Sequence, residues 1–263
     1  MNQVNLSDPA ITITGLNKAY ASQRNNGEVF ALRDFDLTVG RGELVTLFGP
    51  NGCGKSTLLR ALAGLEPYDA GEVSVGGQVP GVAEIGFVFQ DFRESLFPWR
   101  SALGNIAFPL EARGLGGKSS RKKAREFCEE LGIRIPLDSY TYELSGGQRQ
   151  MVAIARSLVY RPAVLLMDEA FSALDYQTNE AMEDFLLGIW EKLGMTIIFI
   201  SHEVDQAVYL ADRVALLTQA PARVAEEIPV SLPRPRQQCV KNSPEFIELR
   251  AHALDVFRRE ASM

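Results

Sequence analysis

Cysteine is scarce: Cys53, Cys128 and Cys239 are widely spaced and odd in number. That excludes a disulfide framework and a cysteine-based zinc site, and it suits a reducing compartment. Long apolar runs are missing too. The stretches from Ala163 to Met167 and from Met195 to Ile200 are strand-length, well short of the roughly 20 residues that cross a bilayer. There is no basic surplus, with 27 Lys and Arg against 33 Asp and Glu and a net charge of -6, so a counterion-releasing face for nucleic acid is not expected. Met-Asn-Gln-Val-Asn-Leu-Ser-Asp at the N-terminus lacks a basic region followed by an apolar one, so no secretory leader is expected. What is present is 46% hydrophobic residues over 263 positions, enough to bury a core as one large domain or one domain with an insertion.

The stretch from Gly49 to Thr57 has the spacing G-x-x-x-x-G-K-[ST] of a loop that cradles phosphate. An apolar strand from Leu44 to Phe48 precedes it and a helix from Lys55 to Leu62 follows, so the loop sits at a helix N-terminus, where backbone N–H groups and the helix dipole attract anions. Gly49, Gly52 and Gly54 permit positive φ and close backbone approach, with Pro50, Asn51 and Cys53 between them. Lys55 supplies a cation for the β and γ phosphates of a nucleoside triphosphate, Ser56 a hydroxyl for Mg2+, and Thr57 a further polar contact.

Five other places have chemistry in their residue types. Val164 to Asp168 reads as an apolar strand ending in adjacent carboxylates, Asp168 and Glu169, one suited to Mg2+ and the other to polarising water. Burying two acids at a strand tip without a cation would be costly. Ser145-Gly146-Gly147-Gln148 opens a helix whose Val152, Ala155 and Leu158 face inward; it is either a second anion-seeking helix start or a simple Ser N-cap. Gln90 follows the strand Ile85 to Phe89 and is either a ligand of metal and water or an ordinary loop residue. His202 stands just beyond the strand Met195 to Ile200, on the edge where α/β sheets bind ligands. Tyr20, ending the segment that starts at Leu16, is either a stacking platform for a base or an edge aromatic.

The remaining elements frame these. Ile11 to Leu16 and the alternation Phe35, Leu37, Val39 read as strands separated by a polar excursion, and Glu72 to Val75, Val214 to Leu217 and Val224 to Ile228 as further strands. Gly104 to Glu111 and Ser120 to Leu131 read as helices inserted into a strand-rich domain, the second with Arg121, Lys122 and Lys123 as a solvated face. A helix from Thr178 to Leu193 follows Ser172-Ala-Leu-Asp175. Leu232-Pro-Arg-Pro-Arg236 reads as a linker, and Ser243-Pro244-Glu245 as the start of a last helix.

Taken in order, these motifs closely resemble the ATP-binding subunit of ABC transporters over nearly the whole chain. In the terms of that family, Gly49 to Thr57 matches the Walker A loop, Gln90 the Q-loop, Leu144 to Gln148 the signature motif, Val164 to Asp168 the Walker B strand, Asp175 the D-loop, His202 the switch histidine and Tyr20 the adenine-stacking aromatic. The resemblance implies an α/β fold: a P-loop NTPase core with a mixed sheet, an N-terminal antiparallel β subdomain and an inserted α-helical subdomain. The single domain would have its core over about 10–90 and 161–230, its helical part over about 91–160, and a C-terminal linker and helix over about 231–263. It also implies ATP and Mg2+ as ligands, Glu169 as base for the attacking water, and His202, Gln90 and Lys55 acting with it. Partners would be a second copy in a head-to-tail ATP sandwich, membrane permease subunits and, indirectly, a solute-binding protein. The location would be the cytoplasmic face of the inner membrane, peripheral.

Gln90 to Arg100, with Asn105 to Pro109 after it, resembles the importers of nitrate, sulfonates and taurine. There Phe97, Pro98 and Trp99 form either an exposed ledge for a short membrane-subunit helix or a buried satellite cluster. A soluble ABC-type ATPase acting as an assembly or mechanical factor is the competing class, and a purely regulatory nucleotide-binding module a third. Finally, Cys53, near a helix N-terminus and Lys55, is expected to favour thiolate and to be the most reactive of the three thiols.

Overall fold

The computed structural model describes residues 9–21, 27–91 and 95–261. Most of the expected excursion after Tyr20, and residues 92–94 of the segment after Gln90, lie outside the described residues. Two sheets organise the chain. Strands β1 (Pro9–Ala21), β2 (Glu28–Gly40) and β4 (Ala70–Val75) form an antiparallel sheet in the order β2-β1-β4. Strands β3 (Leu44–Phe48), β5 (Ile85–Val88), β6 (Val164–Asp168), β7 (Thr196–Ser201), β8 (Arg213–Leu217) and β9 (Val224–Pro229) form a six-stranded sheet in the order β5-β6-β7-β3-β8-β9. It is parallel except for β9, which closes one edge antiparallel to β8.

The central strands are predominantly apolar because both faces of the sheet are covered. Side chains alternate across a strand, so each strand divides between two cores. Val45 and Leu47 of β3, Val164 and Leu166 of β6, and Ile198 and Ile200 of β7 face the antiparallel sheet and α1 (Lys55–Leu62), which contributes Leu58, Leu59 and Leu62. Leu44 and Phe48, Leu165 and Met167, and Ile197 and Phe199 face the opposite core, which the other helices cover. Asp168 shares the parity of Val164 and Leu166, and this directs its carboxylate toward the start of α1.

Helices α2 (Ala102–Ala112), α3 (Gly117–Leu131) and α4 (Gly146–Leu158) lie in sequence between β5 and β6. α2 is capped by Ser101, whose hydroxyl accepts from Gly104 N at 3.2 Å. Asn105 is fully buried and its amide laces the preceding turn, donating to Phe97 O at 3.1 Å and Ser101 O at 3.1 Å and accepting from Phe97 N at 2.8 Å. The turn is thereby fixed with Trp99 71% exposed, and Phe97 rests against Phe108 with ring centres 4.8 Å apart. In α3, Ala124, Phe127 and Cys128 are buried while Arg121, Lys122 and Lys123 are exposed.

Three more helices follow: α5 (Tyr176–Leu193), α6 (Val204–Leu210) and α7 (Pro244–Ala261). α5 starts two residues earlier than its pattern suggests because Asp175 caps it, accepting from Thr178 N at 3.1 Å and Thr178 Oγ1 at 2.7 Å. α7 begins as expected, with Ser243 Oγ accepting from Phe246 N at 3.2 Å.

The Pro-Arg stretch differs from a linker. Leu232 is buried, and Arg236, 7% exposed, donates to Tyr209 O and Ala211 O at 2.7 Å each, and to Val230 O at 3.3 Å. The guanidinium thus supplies the donors that the C-terminal end of α6 lacks. Arg234 adds a bond to Leu210 O at 2.8 Å and an ion pair with Asp212 at 2.9 Å. Composition reads as a linker; the backbone carbonyls the stretch covers are visible only once α6 is in place.

Candidate active site

The order β5-β6-β7-β3 brings four strand ends side by side, each about 4.8 Å from the next. Their C-terminal ends carry Gln90, Asp168 with Glu169, His202, and the glycine loop. This is the edge at which parallel sheets bind ligands.

The loop is shaped by two kinds of glycine. Gly52 and Gly54 have φ of 74° and 118°, conformations that side chains resist, and a Cβ at Gly54 would lie 2.6 Å from Ala31 O. Gly49 has no positive φ. Its requirement is space, since a Cβ there would lie 2.9 Å from Leu217 Cβ. Lys55 is 5% exposed, its ammonium donating to Gly49 O at 2.9 Å and Pro50 O at 2.8 Å, so the cation is held inside the curve of the loop.

Above the loop opens a cleft of about 300 Å³, lined among others by Tyr20, Phe30, Asn51, Lys55, Thr57 and Glu169. Tyr20, 42% exposed, stands at its mouth with its hydroxyl 3.2 Å from Thr57 Oγ1 and also bonded to Glu66; Lys18 Nζ is 5.1 Å from its ring centre. Burial, and then the Glu66 carboxylate, push the Tyr20 phenol above its ordinary range. Phe30 and Ala31 of β2 and Ala220 of the β8–β9 turn also line the cleft. They belong to no motif, and no sequence signal marked them.

Two polar groups each contribute a residue to the cleft, Ser56 from one and Glu169 from the other. Ser56 Oγ donates to Asp168 Oδ1 at 3.0 Å. Burial pushes the Asp168 carboxyl up, against the pull of the Ser56 hydroxyl, and the Glu169 charge raises it further. A buried carboxylate with a hydroxyl beside it is a pair of hard oxygen donors for a divalent cation that takes the rest of its shell from water and phosphate. Among the described residues no group of three or more His, Cys, Asp and Glu is placed to hold a metal alone, in keeping with such a shared shell.

The second group surrounds Glu169. Gln90 Nε2 donates to Glu169 Oε2 at 2.9 Å, and His202 Nδ1 stands 3.7 Å from the same oxygen. Glu169 has φ of 45°, a left-handed conformation uncommon for a non-glycine residue. That turn separates it from Asp168 so that one carboxylate serves α1 and its neighbour the cleft.

Ser145 to Gln148 stand apart. None of the four lines the cleft, and they form a capping box: Gln148 N donates to Ser145 Oγ at 3.3 Å and Ser145 N to Gln148 Oε1 at 2.9 Å. A Cβ at Gly147 would lie 2.7 Å from Thr178 Cγ2, so this glycine lets the start of α4 press against the start of α5.

Cys53 corrects the expectation of a reactive thiol. It is 1% exposed, packed in the core beneath the loop, and burial pushes its thiol up, outweighing the opposing effect of Lys55. Its side chain is not part of the cleft. The exposed cysteine is Cys239.

Comparison with known proteins bears on this site. A family profile described as ABC transporter matches residues 32–172. The chain is 44% identical to the aliphatic sulfonates import ATP-binding protein of Bacillus licheniformis, over 86% of each chain. It is 40% identical to the nitrate import ATP-binding protein of Synechocystis sp., over 90% of this chain and 91% of that one. In structure it is similar to a dimeric, post-hydrolysis ATP-binding cassette bound to ADP and Pi, with a TM-score of 0.71 and 30% identity over 84% of this chain and 99% of that one.

Proposed function

Since the chain belongs to the ABC transporter family, we propose that it is the ATP-hydrolysing subunit of an importer that draws in a small anion such as nitrate, a sulfonate or taurine. It works as a dimer with membrane permease subunits and, through them, a solute-binding protein. No described helix is long and apolar enough to cross a membrane, and attachment is through the permease, at the cytoplasmic face of the inner membrane. The core comprises about 10–90 and 161–230, the helical part about 91–160, and the C-terminal segment about 231–263.

One observation supports the reading above all: Gln90 and His202, from two strand ends, converge on Glu169 Oε2 at a third, beside a glycine loop that holds Lys55. In the mechanism the triphosphate lies along the N–H groups of Gly49 to Thr57, with its base against Tyr20. Glu169 accepts the proton of the attacking water as the bond to the γ-phosphorus forms and the bond to the β–γ bridging oxygen breaks. Gln90 orients that water, His202 contacts the γ-phosphate, and Lys55 offsets charge in the loose transition state. Ser56 and Asp168 would hold Mg2+, which would supply neutralisation of phosphate charge.

The signature helix start does not line its own cleft, and in this reading Ser145, Gly146, Gly147 and Gln148 serve the ATP of the second copy in a head-to-tail pair. Loss of the γ-phosphate removes that bridge and the pair reopens. The permease engages the ledge at Trp99. Co-purification with the membrane subunits, then ATPase assays in proteoliposomes with a panel of anions, tests the reading. Stimulation by one anion is expected, and an active ATPase that binds no membrane partner would refute it in favour of an assembly factor.

A further inference from the structure

α6 starts just after His202, and its Gln206, 5% exposed, projects into the space between β7 and α5. Its amide is fully engaged. Ser201 Oγ is 2.9 Å from Gln206 Oε1, and Gln206 Nε2 donates to Asn179 Oδ1 at 3.0 Å and Glu183 Oε1 at 3.3 Å. The Glu183 carboxylate fixes the orientation, because a flipped amide would turn its oxygen toward another acceptor.

Ser201, 1% exposed, is the last residue of β7, and its hydroxyl also accepts from Glu203 N at 3.0 Å. It therefore spans the bend whose middle residue is His202. On the far side, Asn179 N donates to Asp175 O at 2.8 Å, which ties the amide to the first turn of α5. Behind it, Glu183, 2% exposed, takes Lys241 Nζ at 2.8 Å and Gln238 Nε2 at 3.3 Å from the C-terminal segment. An apolar side chain of similar size would fill position 206 without needing so many buried partners.

We propose that Ser201 and Gln206 are positioning residues for hydrolysis: their hydrogen bond sets where His202 stands beside Glu169, and hangs that setting on α5 and the C-terminal segment. The proposal rests on the reading that His202 meets the γ-phosphate.

The test is steady-state ATPase kinetics and thermal melting of the full-length chain as Ser201→Ala, Gln206→Met, their double variant, Ser201→Thr and His202→Ala. Each single loss should lower kcat by about tenfold or more, since small misplacements at a reacting centre cost that much, and leave KM within about twofold. Ser201→Thr, which keeps the hydroxyl, should restore kcat, and the double variant should be no slower than the slower single one. Wild-type kcat with a lowered melting temperature, or fully multiplicative losses in the double variant, would overturn the proposal. Should Gln206→Met fail to fold, the Ser201→Ala and Ser201→Thr pair decides. Unimpaired turnover in His202→Ala would instead overturn the reading of His202 itself.

Discussion

Glu169→Gln separates proton acceptance from everything else Glu169 does. The substitution keeps the side-chain shape, and the new amide oxygen can accept the bond that Gln90 Nε2 now makes at 2.9 Å. What changes in the fold is a charge-assisted hydrogen bond becoming a neutral one on a side chain 17% exposed, a loss of at most about 1 kcal/mol. ATP affinity should not fall, because a negative group beside the triphosphate is gone. The chemistry has no such refuge: an amide cannot take a proton from water, and losing a general base lowers the rate by about 10² to 10⁴, or roughly 3 to 5 kcal/mol. Single-turnover phosphate release read against the melting temperature measures the split, and size-exclusion chromatography with ATP should show a persistent dimer. Release at the wild-type rate in a protein with normal stability would refute the assignment of Glu169 as base.

Three other outcomes follow from the geometry. Arg236→Met should destabilise the chain by about 2 to 4 kcal/mol, because buried carbonyls of Tyr209, Ala211 and Val230 lose their donor; burial pushes this guanidinium down to about 10, so it is still charged at neutral pH, and an unchanged denaturation midpoint would refute the clasp. A bulky maleimide should label Cys239 in the folded chain and reach Cys53 and Cys128 only after unfolding; labelling of Cys53 at the rate of Cys239, slowed by ATP, would contradict its burial. Trp99→Ala removes an aromatic that is 71% exposed and should spare ATP binding while lowering transport per ATP hydrolysed in the reconstituted complex; unaltered coupling would count against the ledge.

Much of the fold was legible because local pattern and tertiary need coincide. The strand Leu44 to Phe48, apolar but for Thr46, and the helix Lys55 to Leu62 lie where pattern alone puts them. A strand buried on both faces is apolar except where a polar side chain finds a partner, as Thr46 does by donating to Ala207 O at 3.0 Å, and a glycine loop before a helix marks its own boundary. The exposed turn at Trp99 was undecided in sequence, since an aromatic ledge and an aromatic core have the same composition. Burial of Asn105 beneath the turn, with its amide spent on backbone, is what leaves Trp99 outside.

Sequence alone determined which chemical groups this protein has and at what local spacing: a glycine cradle with Lys55 and Ser56, acids at the tip of β6, an amide and an imidazole just past two other strands. Those follow from steric and hydrogen-bonding rules that act over a few residues. Tertiary structure alone decided which groups meet and what state they are in. The strand order sets Gln90 and His202 on either side of Glu169, strand parity turns Asp168 toward Ser56, Thr178 makes Gly147 a packing requirement, and α6 converts an apparent linker into a clasp. Cys53 shows the reason most plainly: its neighbours along the chain favour thiolate, but the dielectric around it is set by residues distant in sequence, and desolvation outweighs them.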